Sequence, residues 1–220
     1  VHALQDPVAR IKSLKVPVSY PEIDLVRLVN CKVFESCMKN ELRCTIVSLL
    51  AHGATTANEV ASALGISRTA IYRHLNALRK NGIITYYNGR FYVGARLFLV
   101  YDVEVDEKGY IKLIIHPDKG GFADESIGFA FVKGKLCKCD ICITKDKCLA
   151  AVKNLARKLD IKLRSEEPLS GFREIVEEIV KRDIVKVIKE GYLIIRIPEE
   201  VSREEGEYLQ GLPQNEKTRV

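Results

Sequence analysis

The strongest constraint in this chain is a run of local stop and start signals between residues 56 and 93. Thr56-Ala57-Asn58-Glu59 fits a capping box, in which the Thr side chain and the Glu three residues later satisfy each other's backbone donors. A short helix carrying Val60, Ala61 and Leu64 stops at Gly65, and Ser67 caps the next helix, which runs to Lys80. Ala70, Ile71, Leu75 and Leu78 give that helix one apolar stripe before Asn81-Gly82 closes it. Two β-prone runs follow, Ile83-Ile84-Thr85-Tyr86-Tyr87 and Arg90-Phe91-Tyr92-Val93, joined by Asn88-Gly89. That dipeptide suits a two-residue type I′ turn, which needs positive φ at both positions.

Helix, glycine turn, helix and hairpin are the order of a winged helix-turn-helix, in which the third helix is held so that its outer face can enter a major groove. Here that face offers Ser67, Arg68, Thr69, Tyr72, Arg73 and Asn76, hydroxyls, an amide and guanidinium groups suited to phosphates and base edges. The hairpin tip adds Asn88 and Arg90, placing a cation toward an adjacent phosphate or minor groove. Charge agrees with this placement. The whole chain carries a formal +6, but residues 40–95 hold Arg43, Arg68, Arg73, Arg79, Lys80 and Arg90 against Glu41 and Glu59 alone. After residue 161 acidic residues become frequent.

The segment 56–93 resembles the ArsR/MarR-like winged helices of bacterial and archaeal transcription regulators, through Asn58-Glu59-Val60-Ala61, Leu64-Gly65-Ile66-Ser67-Arg68, Ile71-Tyr72-Arg73-His74-Leu75 and Leu78-Arg79-Lys80-Asn81-Gly82-Ile83-Ile84. The stretch 34–50, with Asn40, Arg43 and Ile46, is similar to the helix that opens this family's domain. The resemblance implies double-stranded DNA as the partner, a homodimer addressing two half-sites, and no catalysis. Similar winged helices also dock proteins, so a basal transcription or replication factor contacting the transcription machinery is the alternative.

A second constellation is Cys137-Lys138-Cys139-Asp140-Ile141-Cys142 with Cys148, a C-x-C-x2-C-x5-C pattern. Four thiolates within one short segment can converge on a single cation, the number that a closed tetrahedral site or a cubane cluster requires. The C-x2-C pair Cys139 and Cys142 suits zinc; a [4Fe-4S] cluster is the alternative, since the C-x2-C-x5-C part resembles WhiB-like iron–sulfur regulators. On that alternative an iron–sulfur redox enzyme is a third reading, carried by the cysteines alone. Lys138 and Lys147, with Lys133 and Lys135 upstream, offset the charge of an all-thiolate site. Cys31, Cys37 and Cys44 read as small buried apolar residues, and His74 as a packing residue.

The expected fold class is α+β: an N-terminal winged helix-turn-helix domain (21–96), then a smaller α+β domain (97–200) bearing the four-cysteine metal site, for structure, sensing or dimerisation. Residues 1–20, with Pro7 and Pro17, read as an extended arm, and 201–220 as a charged tail. Within the first domain, Leu25, Leu28, Val29, Val33 and Phe34 fall at helical spacing and predict a helix over 22–38. Strands are expected at 97–105, 110–116, 127–132 and 192–197, helices at 148–159 and 172–188, and a polar turn at His116-Pro117-Asp118 with Gly120-Gly121. The broad apolar stripe of 172–188 suits either a dimer contact or burial in its own domain. No phosphate loop or paired nucleophile and base is legible, no apolar run is long enough to span a bilayer, and the first residues lack a signal peptide's pattern, so a cytoplasmic, membrane-free protein is expected.

Overall fold

The computed structural model describes residues 23–105, 107 and 111–185. The expected arm, the tail and the strand at 192–197 lie outside the described residues, as does most of the turn at 106–109. No described helix is long and apolar enough to cross a membrane.

The order of elements is β1 (Asp24–Asn30), α1 (Cys31–Met38), α2 (Glu41–Ala51), α3 (Ala57–Leu64), α4 (Arg68–Lys80), β2 (Ile84–Tyr87), β3 (Arg90–Val93), β4 (Ala95–Val105), β5 (Ile111–Asp124) and β6 (Gly128–Lys133). Two 3₁₀ turns, Gly134–Leu136 and Cys139–Ile141, lead into α5 (Lys145–Lys158) and α6 (Pro168–Ile179), and α6 runs on into a π-helical turn, Val180–Ile184. The fold is α+β, with a helix-turn-helix in its N-terminal half.

A four-stranded sheet, in the order β1-β4-β5-β6, lies between two helical layers. Alternation along the strands divides the core. Phe98 and Val100 of β4, with Phe129 and Phe131 of β6, face the winged-helix side and pack with Phe34, Ile46, Leu75 and Leu78. Leu97 and Leu99, with Phe122 and Val132, face α5 and α6, meeting Val152, Leu155, Phe172, Ile175 and Val176. Residue 97 therefore lies inside β4, whose two faces serve both cores. The stripe predicted over 172–188 is buried in its own protomer at Phe172, Ile175, Val176 and Ile179; residues 186–188 lie outside the described set.

Two elements differ from the sequence reading. The expected helix over 22–38 is helical only from Cys31; before it, β1 pairs in parallel with β4, Asp24 opposite Ala95 and Val26 opposite Leu97. Val26 and Leu28 pack toward α5 and α6 while Val29 packs toward the winged helix, so β1 lacks the polar–apolar alternation of a half-exposed strand. The supposed turn at 116–121 lies within β5. Its pairing with β4 shifts register between Leu99 and Tyr101, so the residues at Pro117 bulge while the strand continues. Gly120 has φ +141° and brings the strand against its neighbour: a Cβ there would lie 2.3 Å from the Phe98 carbonyl oxygen.

Arg27 fastens β1 to the winged helix. Its Nε and Nη2 donate to Asp24 Oδ2 (2.9 and 2.7 Å), and its Nη1 donates to the Gly82 carbonyl at the end of α4 (2.7 Å). A Cβ on Gly94 would fall 2.1 Å from that same Nη1, so the guanidinium occupies space that glycine leaves open. On the other helix of this layer, Ser48 Oγ accepts the Phe129 backbone N–H of β6 at 3.2 Å.

Candidate nucleic-acid interface and cysteine loop

The local signals fold as their chemistry dictates. Asn30, Asn40, Thr56 and Ser67 each cap a helix, their side chains accepting the backbone N–H of Val33, Arg43, Glu59 and Ala70. Glu59 completes the capping box, its Oε2 accepting the Thr55 and Thr56 amides at 2.7 and 2.9 Å. Burial alone would raise the Glu59 pKa, but these hydrogen bonds outweigh it and hold the carboxyl below its ordinary value. Gly65 takes φ +66° at the turn into α4, and Asn88 and Gly89 take +47° and +77° in the hairpin, the pair of positive angles a type I′ turn needs.

On α4, Ser67, Arg68, Thr69, Arg73 and Asn76 are exposed. Thr69, Arg73 and Asn76, with Lys80 beyond, recur at i, i+4, i+7 and i+11 and so share one helical face. Tyr72 departs from that face: it is half-buried and meets Phe91 edge-on at 6.3 Å. Arg68 lies over the Tyr72 ring at 5.3 Å, and its Nη2 donates to the Tyr72 hydroxyl at 3.3 Å. This contact pre-orders one cation at the start of α4.

The hairpin is arranged differently from its sequence reading. Asn88 is exposed at the tip, but Arg90 turns back, its Nη1 donating to Thr55 Oγ1 at 3.1 Å beside the α3 cap. The outward groups are instead Tyr86 and Tyr87, 47% and 49% exposed, with the Arg79 guanidinium 6.0 Å from the Tyr86 ring. Sequence reasoning counted Arg79 and Lys80 toward the basic charge but gave neither them nor these tyrosines a place at the interface. Their signal was an aromatic pair in a two-stranded ribbon following two cations in the last helical turn.

His74 faces inward and is half-buried, with a buried Nδ1 that makes no hydrogen bond. Burial, then Arg43 and Arg73, depress its pKa. Cys37 and Cys44 are raised by burial and pack in or against the winged-helix core. Cys31 is pushed up to about 11 by burial and then by the carboxylates of Glu35 and Asp102.

Three cysteines of the second constellation lie in the segment between β6 and α5 and the fourth, Cys148, in α5 itself, with Cys137 and Cys148 packed on the edge of the α5–α6 core. Among the described residues no three of these sulfurs lie within 4.8 Å of one another. Their surroundings are specific nonetheless. Cys137 Sγ accepts the Lys133 N–H at 3.2 Å, and Cys142 Sγ lies 3.2 Å from the Thr144 hydroxyl, a contact that lowers the Cys142 pKa, while burial and then the charge of Cys137 raise that of Cys139. Cys148, in the first turn of α5, is raised to about 11 by burial and then by the charges of Cys139, Cys142 and Cys137. Each of these thiols, once ionised, makes ionisation of the others harder. Around them Leu136, Ile141 and Ile143 are exposed.

Residues 40–86 match the model of a family described as bacterial regulatory protein, arsR family. That stretch is similar to the helix-turn-helix of that family. The match begins at the cap of α2 and ends within β2, so it covers α4 and leaves out the four-stranded sheet and the cysteine segment. The comparison with curated proteins finds no match to the chain, and neither does that with solved structures.

Proposed function

We propose that this protein is a DNA-binding transcription regulator that reads duplex DNA with the ArsR-type helix α4 in the major groove. The observation that carries this reading is the exposed face of α4, with Thr69, Arg73, Asn76 and Lys80 in one stripe and Arg68 held at its start. In this arrangement Arg73 and Asn76 address base edges, Arg68 and Lys80 address phosphates, and Tyr86, Tyr87 and Asn88 ride along the backbone beside the groove. Arg90 serves the fold, bracing the hairpin on the α3 cap. Two copies would present two reading helices to a palindromic site.

The cysteine loop holds a structural ion in this proposal, zinc, ligated by Cys137, Cys139, Cys142 and Cys148. The Lys133 N–H aimed at Cys137 and the Thr144 hydroxyl beside Cys142 support it, because such donors stabilise thiolates and orient them as ligands. Closing the four sulfurs on one ion would fix the link between β6 and α5 and keep it against the start of α6.

Selection from random duplexes by the full chain, followed by mobility shifts over a salt series, tests the DNA reading. An enriched, palindromic sequence whose affinity falls steeply with salt is expected. Binding that ignores sequence, with capture of a polymerase subunit instead, would establish the protein-docking role. Elemental analysis of anaerobically purified protein tests the ion: one zinc per chain is expected, and a brown, iron-containing protein overturns the zinc assignment in favour of a cluster.

A further inference from the structure

A different group of ligands forms where α1 meets the sheet. Cys31 is the first residue of α1, Asp102 lies on β4 and His116 on β5; their ligating atoms all lie within 4.8 Å of one another. Register explains the meeting. Asp102 pairs with Ile114, and Ile115 packs toward α5 and α6, so Asp102, Ile114 and His116 point to the winged-helix side, where α1 begins. The bulge just beyond His116 lets β5 turn at that point, and His116 Nε2 comes to 2.6 Å from Asp102 Oδ2.

We propose that Cys31, Asp102 and His116 bind a single divalent transition-metal ion of the zinc class, at a site separate from the cysteine loop. One sulfur, one imidazole nitrogen and one carboxylate oxygen are the donors that favour such an ion over magnesium or calcium, which take oxygen. Size fits as well. Bonds of about 2.0–2.3 Å in a tetrahedron hold ligand atoms about 3.3–3.7 Å apart. The 2.6 Å His–Asp contact has to open by about 1 Å, while the thiol already lies within 4.8 Å of both partners.

Charge and access favour the same occupant. Glu35, one turn along α1, lies 3.7 Å from Cys31 Sγ and is paired with Lys119 at 2.9 Å, which balances its charge. The thiolate and the Asp102 carboxylate then match a dication, with a neutral imidazole as the third ligand. Cys31 forms the floor at 5% exposure, while the side chains of His116 and Asp102 are 25% and 42% exposed and form the rim. An ion enters from solvent and keeps one coordination position for water, unlike a closed four-thiolate site. Bound there, it ties the first helix of the winged-helix layer to β4 and β5.

Anaerobic titration of the full chain with Co²⁺ tests this, read by ligand-field bands and by sulfur-to-cobalt charge transfer. Wild type should take up one equivalent more than His116→Gln, and that equivalent should carry the charge-transfer intensity of a single thiolate. Cys31→Ser should abolish that component alone, and His116→Gln should weaken it at least roughly 100-fold. Any four-thiolate signal from the cysteine loop should survive both changes, so the two sites are scored separately. Circular dichroism checks folding, and Asp102→Asn, on the exposed rim, gives a variant that spares the core. Equal stoichiometry and identical spectra in wild type, His116→Gln and Asp102→Asn would overturn the proposal.

Discussion

Leu97 and Phe98 are neighbours on β4, yet they enter cores fastened in different ways. On the Leu97 side the sheet meets α5 and α6 through apolar packing, such as Phe122 stacked on Phe172 at 5.8 Å. On the Phe98 side apolar packing is just as dense, with Phe34 between Phe98 (5.9 Å) and Phe131 (5.5 Å). There, however, directional bonds are added: Arg27 to Gly82, Ser48 to Phe129, and Lys119 to Glu35. Apolar burial is indifferent to small slips, whereas a hydrogen bond is lost within an ångström. The layer that carries α4 is thus held in position as well as held on.

The largest test of this contrast is to empty each core in turn. Phe34→Ala and Phe172→Ala should each cost about 3–5 kcal/mol in urea or thermal unfolding, because both rings are fully buried. If the shared sheet couples the layers, either change shifts one common transition. Two separate transitions would break the picture of a single sheet serving both.

Removing a directional tie comes next. Arg27→Met keeps the apolar stem but leaves the Gly82 carbonyl without its donor, and should cost about 2 kcal/mol. Amide exchange should quicken at the α4 end more than in α5 and α6. Uniform quickening would show that the tie adds stability without position.

Third, the two arginines proposed and reassigned in the winged helix should separate. Arg73→Ala should lower duplex affinity by about 1–3 kcal/mol, with its stability unchanged. Arg90→Ala should do the reverse, costing about 1 kcal/mol of stability through the lost bond to Thr55 while affinity stays within a few-fold. Filter binding and thermal melting of the same preparations score both.

The smallest effect is in pH. Burial and the nearby Arg43 and Arg73 hold the folded His74 below its ordinary pKa, so the unfolded chain takes up its proton first. Its contribution to stability is intact at pH 7 and is lost as pH falls below about 6.5 and on through the depressed folded value. Urea midpoints between pH 7 and 5 should therefore drop on acidification, and His74→Gln should flatten that slope. An unchanged slope would place the titration elsewhere.

These contrasts also explain what could be read from the chain alone. The winged helix was legible because each signal is local: a cap satisfies an amide three residues away, and a glycine accepts the angle at its own position. β1 was not, since Leu25, Leu28, Val29, Val33 and Phe34 satisfy a helical period, and a strand packed on both faces offers no alternation against it. β5 was obscured by Pro117, which marks a bulge here and a turn in most contexts. The four loop cysteines were visible as a spacing, whereas Cys31, Asp102 and His116 come from three elements and meet only through strand register. Likewise the aim of Arg90 depends on Thr55, a partner 35 positions away.

Because β1 and β4 lie side by side in parallel, everything from Cys31 to Gly94 is an excursion that leaves the sheet and returns to it next door. During synthesis β1 emerges first and has no partner until β4 follows. The helices and hairpin between them are built from short-range contacts and can assemble in that interval. Once assembled, they hand β4 back beside β1. The winged helix is therefore its own folding template, and slow steps should be sought in the pairing of the sheet rather than in the helices that it frames.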